Sequence, residues 1–378
     1  MTSNLQPPAE SGRIVFLDWL RVIACFMVIL VHSIEPFYLG GPEGTYIASW
    51  WDAFWTTAID SALRPAVPLF VLASSYLLFP LKTDTVTFFR KRFTRVLIPF
   101  VIWSLLYALV PMIGSGGEID MAANLKNLGV NFMMHAGHLW FVYMLIGVYL
   151  LMPLLSPWID KVSRKEERGF LILWAFTTIL PFFRPLAVSI TGTPDLWGEC
   201  PWNEFGTFYY VSGFIGYLVL GHYFRKYVGE ISWGKTLALA VPFWLVGYAV
   251  TAGGFWHIMP RELGFPLSAP YQTAVDMETT WNFCTIGVMM QTVAYFLVIR
   301  KFSASGTIYS KLVQSCSKLS YGVYLMHMFV LIPVFAMVKS WGIPTLAVML
   351  LSAVLTYIIC FVLARLIAFL PKSKYIVG

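Results

Sequence analysis

Charge is scarce in this sequence. Asp, Glu, Lys and Arg make up 12% of the residues, about half the share found in an ordinary soluble domain, which is near 25%. A water-facing surface of normal composition is thereby excluded. Cysteine is scarce as well, and Cys25, Cys200, Cys284, Cys316 and Cys360 stand singly, without metal-type spacing. That pattern argues against a disulfide framework and against zinc or redox chemistry, so no metal is expected. The chain shows no internal repeat, low-complexity linker or separate soluble segment. Its 378 residues read as one integral membrane domain, 1–378, opened by a short polar segment over 1–12. No small-residue cleavage site follows the first apolar run, so that run is expected to stay in the mature protein.

Apolar length is abundant. Hydrophobic residues reach 58%, mean hydropathy is +0.71, and Trp, Tyr and Phe together make up 17%, as expected where aromatic belts sit at two membrane interfaces. The fold class is all-α, a polytopic helical membrane bundle. About ten transmembrane helices are expected, over roughly 14–34, 53–79, 96–113, 139–158, 169–189, 206–224, 236–256, 279–299, 319–338 and 344–369. An even number puts both termini on one side, and Lys and Arg decide which. With a cytoplasmic N-terminus and C-terminus, the inner segments hold Arg13, Lys82, Arg90 to Arg95, Lys161 to Arg168, Arg225, Lys226, Lys235, Arg300, Lys301, Lys311, Lys318, Lys372 and Lys374. The outer ones hold only Lys126, Arg184, Arg261 and Lys339. The expected location is therefore the cytoplasmic membrane, with multiple passes and membrane lipids as partners. The formal charge of +7 follows from this topology; with no basic soluble domain, no nucleic-acid partner is expected.

The first apolar run, IVFLDWLRVIACFMVILVHSIE over Ile14 to Glu35, carries charges that translocon scales penalise by about 2.5–3.5 kcal/mol each near mid-membrane. Arg21 and His32 lie eleven residues apart, which returns to within about 20° of one helix face with about 16 Å of axial separation. Asp18, Arg21, Cys25 and His32 thus form one polar stripe, with Glu35 a turn beyond. A stripe of this kind belongs against a bundle interior or a wet cavity.

Four other clusters carry possible chemistry. Asp60 and Arg64 form an i,i+4 pair, read either as a wall of the same cavity or as a structural ion pair. Pro65 and Pro68 should kink the helix just after it. Arg90, Lys91, Arg92 and Arg95 enter the third span, with Arg92 and Arg95 pointing one way; such a cluster can hold phosphates, or can simply mark the cytoplasmic side. His138, Trp140 and Tyr143 gather at the outer end of the fourth span, where a belt also places such residues. Tyr321, Tyr324 and His327 share one face of the ninth span, with Gly322 allowing a neighbouring helix to approach. His222 and His257 have no companions in sequence and are assigned no role. The outer loops, rich in Gly, Pro, Trp and acidic residues, suit either a carbohydrate platform or ordinary interfacial turns.

Taken in order, LDWLRVIACFMVILVH, PLFVLASSYLLF, FFRKRFTRVLIPF, HLWFVYMLIGVYLLMPLL and LSYGVYLMH resemble the successive motifs of the membrane-bound acyltransferase-3 family. Arg21 and His32 meet its arginine, ten residues, histidine pattern. The usual Ser-Gly pair of its second span is Ser74-Ser75 here, which alters the helix contact expected there. The resemblance implies transfer of an acyl group, commonly acetyl from cytoplasmic acetyl-coenzyme A as donor substrate, to hydroxyls of a cell-envelope polysaccharide or lipid-linked glycan acceptor. It resembles the stand-alone members, which lack a fused hydrolase-like domain. On this reading Arg92 and Arg95, with Arg90, hold the coenzyme A phosphates, and His32 is the general base. Glu35 orients the imidazole, and Arg21 holds the donor or the developing negative charge. Asp18, Arg64, His138, Trp140, Tyr143, Tyr321, Tyr324 and His327 are expected to line one shared cavity. The alternative, from another class, is a transporter of a small solute or glycan; carriers often show two related halves, and no such repeat is found.

Overall fold

The first apolar run folds as helix α1 (Val15–Ile34) in the computed structural model, which describes residues 13–40, 46–109, 122, 134–193, 208–259, 274–302 and 309–378. Leu17, Leu20, Ala24 and Ile29 of α1 are at most 1% exposed. The helix is wrapped by α2 (Trp50–Leu63), α3 (Ala66–Leu78), α10 (Ile286–Ile299), α11 (Gln314–Lys339) and α12 (Thr345–Ile367). Around these pack α4 (Thr85–Leu109), α5 (Trp140–Lys161), α6 (Arg164–Thr177), α7 (Leu180–Thr191), α8 (Ile215–Tyr227) and α9 (Trp233–Ile258). All regular structure among the described residues is helical.

Local chemistry sets the breaks. Ser49 caps α2 by accepting the Asp52 N–H at 3.1 Å, and α2 stops where Pro65 supplies no backbone N–H, so that the chain restarts as α3. Ser163 and Glu166 form a reciprocal cap on α6. The Ser163 hydroxyl, aided by the backbone N–H, holds the exposed Glu166 carboxyl below its usual pKa range. Arg225 on α8 donates to the carbonyls of Tyr76, Leu77 and Phe79, satisfying the end of α3.

Among the described residues, seven stretches are long and apolar enough to cross a bilayer: Val15–Phe37, Trp50–Leu78, Gly137–Lys161, Trp233–Ile258, Thr279–Ile299, Gln314–Lys339 and Thr345–Ile367. The three other expected spans fall on different ground. The third lies in α4, whose first half carries the arginine cluster. The fifth is divided between α6 and α7. The sixth is the 13-residue α8, about 20 Å long against a hydrocarbon core of about 30 Å. Lys126, Cys200 and Arg261, with most of the loops that carry them, lie outside the described residues.

Of two expectations about small contacts, the one at Ser74-Ser75 is given its geometry and the one at Gly322 is corrected. Ser75 donates its hydroxyl to the Leu218 carbonyl, and the small residue that lets α3 and α8 meet is Gly221, where a Cβ would sit 2.6 Å from the Leu72 carbonyl oxygen. Gly322 receives no helix; Val377 packs there, 2.7 Å from where its Cβ would be, held by the Trp103 indole donating to the Ile376 carbonyl at 2.8 Å. His222 also has a companion, because its Nδ1 meets Glu167 Oε1 at 2.8 Å and ties α8 to α6.

Gly221→Val is expected to lower stability by about 1–3 kcal/mol, the usual cost of overpacking a filled core. Gly229→Val, with nothing within 4 Å of its Cβ position, should leave it within error. Thermal unfolding of detergent-purified protein compares the two; equal melting temperatures would contradict the close α3–α8 contact.

Candidate functional site

The polar stripe of α1 ends in two cavities, one at each end of the helix. At its C-terminal end His32 Nδ1 lies 2.8 Å from Glu35 Oε2, with side-chain exposures of 15% and 27%. A carboxylate only accepts, so Nδ1 carries the hydrogen and the lone pair of the neutral ring sits on Nε2. Two further imidazoles gather there: the His32 and His327 ring centres are 5.1 Å apart, His138 and His327 5.1 Å, and His32 and His138 6.4 Å. His327 is fully buried and donates from Nδ1 to the Tyr324 carbonyl at 2.5 Å. Its Nε2, like that of His138, is buried without a partner.

This histidine cavity, about 140 Å³ in volume, is lined by His32, Glu35, Arg64, His138, Trp140 and Glu278 among others. Trp140 is stacked on Phe283 with ring centres 5.1 Å apart. Arg64 is held from several directions. Its Nη2 meets Asp60 Oδ2 at 2.6 Å, Glu278 Oε1 at 3.5 Å and the Tyr38 hydroxyl at 3.0 Å, and its guanidinium lies 4.2 Å over the Trp281 ring. Tyr38 donates in turn to Glu278 Oε1 at 2.5 Å. Two carboxylates and an aromatic face compensate one buried cation, as a low-dielectric setting demands.

At the N-terminal end of α1 a larger cavity, about 540 Å³, carries the cationic side chains Arg13, Arg21, Arg92, Arg95 and Lys318 against one acidic side chain, Asp18, with Gly378 also in its wall. Asp18 is already saturated: Arg13 reaches it at 2.6 and 2.9 Å, Tyr309 at 2.8 Å and Ser317 at 2.7 Å. Arg21 is left with a 3.7 Å approach, and Arg92 Nε is buried with no partner. The surplus of guanidinium groups suits a ligand carrying several phosphates, and the volume is that of a ligand pocket.

The expected single cavity is therefore two. His32, Glu35, Arg64, His138 and Trp140 line one; Asp18, Arg21, Arg92, Arg95 and Tyr321 line the other; Tyr324 lines both. Arg21 does not share the histidine cavity, because the stripe carries it about 16 Å along the axis from His32. Arg90 is exposed and lines neither, since it sits on the other side of α4 from Arg92 and Arg95. Tyr143 is 41% exposed and packs edge-on against Phe100, and His327 lies behind His32 without lining either space. Sequence reasoning missed Tyr38 and Glu278, which reach Arg64 from distant stretches, and Tyr309 and Ser317. The signal for these last two was Asp18 itself, an acid in an apolar run that needed donors. Lys318, counted only toward topology, also lines the basic cavity. Among the described residues no cluster of His, Cys, Asp and Glu has an arrangement able to hold a metal ion.

The sequence model of the acyltransferase-3 family, described as an acyltransferase domain, matches residues 14–365. The chain is also similar to Nodulation protein 10 of Rhizobium leguminosarum bv. viciae, 21% identical over 339 residues that cover 85% of this chain and 84% of that protein. No solved structure matches.

Arg64→Met strands the fully buried Asp60 without a counter-charge and is expected to cost about 3–5 kcal/mol. Asp60→Asn combined with Arg64→Met should recover part of that loss, because the pair is removed together. Thermal unfolding of the purified variants measures both; a single variant as stable as the parent would contradict the paired arrangement.

Proposed function

Because the chain belongs to the acyltransferase-3 family, matched over residues 14–365, we propose that this multi-pass membrane acyltransferase moves an acyl group, acetyl first among them, from cytoplasmic acyl-coenzyme A to a hydroxyl of an extracytoplasmic polysaccharide or lipid-linked glycan. The observation that carries the reading is the pairing of a cation-rich cavity with a histidine–carboxylate cavity at opposite ends of one helix. The cationic end faces the cytoplasm and the His32 end faces outward, with both termini inside and ten passes through the cytoplasmic membrane.

Arg92, Arg95 and Lys318, with Arg21, hold the phosphates of the donor, while its thioester extends along α1 toward His32. The acceptor hydroxyl enters beside Trp140 and Glu278, an aromatic face and a carboxylate suited to a sugar. Its proton passes to His32 Nε2 as its oxygen bonds to the thioester carbonyl carbon. Collapse of the tetrahedral intermediate breaks the carbon–sulfur bond, and the imidazolium returns the proton to the departing thiolate. Glu35, bonded to Nδ1, fixes the tautomer and stabilises the cation during that interval. Release of free coenzyme A on adding acceptor separates this chemistry from that of a carrier.

His32→Ala is expected to lower incorporation of radiolabelled acetyl into the membrane glycan fraction by about 10²–10⁴-fold, the usual contribution of a general base, in membranes that retain the folded protein. Undiminished incorporation would remove His32 from the reaction. Charge reversal, Arg92→Glu with Arg95→Glu, is expected to weaken coenzyme A binding by at least about tenfold through loss of charge-assisted contacts. Unchanged affinity in titration calorimetry would return both residues to a topological role.

A further inference from the structure

The two cavities meet at three aromatic rings. Phe70 on α3, Phe141 on α5 and Tyr324 on α11 line the basic cavity and the histidine cavity alike. Phe141 stands 5.8 Å from Phe70, tilted by 49°, and 5.5 Å from Tyr324, edge-on at 75°. Along α1 the same partition appears, since Arg21 is the last residue of the helix on the basic side and Val28 the first on the histidine side, an interval of about 10 Å.

The rings are not held alike. Tyr324 is fixed by its hydroxyl, which donates to the His138 carbonyl at 2.7 Å. Phe141 and Phe70 have no polar anchor, and Phe70 is half-buried. One of the three rings is therefore tethered by a hydrogen bond, while Phe141, buried, and Phe70 are held by packing alone. Beyond them the space is small. A cavity of about 150 Å³ takes a ligand the size of benzene, and the histidine cavity is about 140 Å³. It has room for a short acyl group beside an acceptor hydroxyl, not for an extended chain.

We propose that Phe70, Phe141 and Tyr324 form an aromatic septum through which the acyl end of the donor passes, and that the Phe70 and Phe141 rings set the acyl length this protein accepts. The inference rests on the donor reading given under the proposed function. It concerns specificity: widening the septum changes which acyl groups reach His32 without altering the phosphate-binding end.

The test uses S-ethyl, S-butyl and S-hexyl coenzyme A, thioethers that cannot react, with binding measured by titration calorimetry on the full-length protein. In the wild type, affinity is expected to fall by about tenfold or more from S-ethyl to S-hexyl, because added methylenes overpack a small space behind the rings. In Phe141→Ala that ratio should shrink to about threefold or less as the ring's volume is released. Phe141→Leu and Phe70→Leu, which keep apolar bulk, should give intermediate ratios and serve if the alanine variant does not fold. Wild type that binds coenzyme A with the same ethyl-to-hexyl ratio as the variants overturns the septum. Wild type that binds no coenzyme A at all overturns the donor reading, and the septum with it.

Discussion

The contact on which the whole arrangement depends is an imidazole hydrogen-bonded to a carboxylate at the end of a helix that carries no charge between Arg21 and His32, His32 with Glu35 at 2.8 Å. Polar groups withdrawn from water are costly unless each finds a partner, and that requirement organises the surrounding helices. α11 brings His327 and Tyr324, the turn before α5 brings His138, and the Tyr324 hydroxyl ties the two together. Beside them Asp60, Glu278 and Tyr38 compensate Arg64. The pocket thus pairs most of its charged groups with one another, while the Nε2 atoms of His138 and His327 stay buried without a partner.

The same requirement acts in reverse at the far end of α1. There the one acidic side chain, Asp18, is fully engaged, and the guanidinium groups outnumber it. An excess of cations around a sizeable space is the setting that suits the polyanionic donor proposed for this end. About 16 Å of helix separates Arg21 from His32, which keeps the proposed donor-binding end apart from the proposed reacting group, and the aromatic rings common to both spaces lie between them.

Most of the fold was legible because apolar runs of bilayer length announce themselves, and seven of them stand as helices. The exceptions have local causes: arginines spread along the first half of α4, a helix break at Thr178 and Ile179, and an α8 of only 13 residues. The α1 stripe was legible because charges in an apolar helix are penalised and Asp18, Arg21, Cys25 and His32 repeat on one face. The division into two cavities was not, because periodicity gives a side chain's face but not the depth at which a neighbouring helix blocks it. Glu278 and Tyr38 were hidden for a related reason, since their partner Arg64 lies far away in sequence and only packing brings them together. Tyr143 shows the converse: three helical positions from Trp140, it turns to the outer surface.

The most direct measurement is a structure of the protein with S-ethyl coenzyme A bound. The expected result has the nucleotide phosphates among Arg92, Arg95 and Lys318, and the thioether sulfur past the Phe141 ring in the space lined by His32. A nucleotide seated elsewhere, or a thioether lying along the lipid-facing surface with His32 unapproached, would contradict transfer through the interior of this bundle.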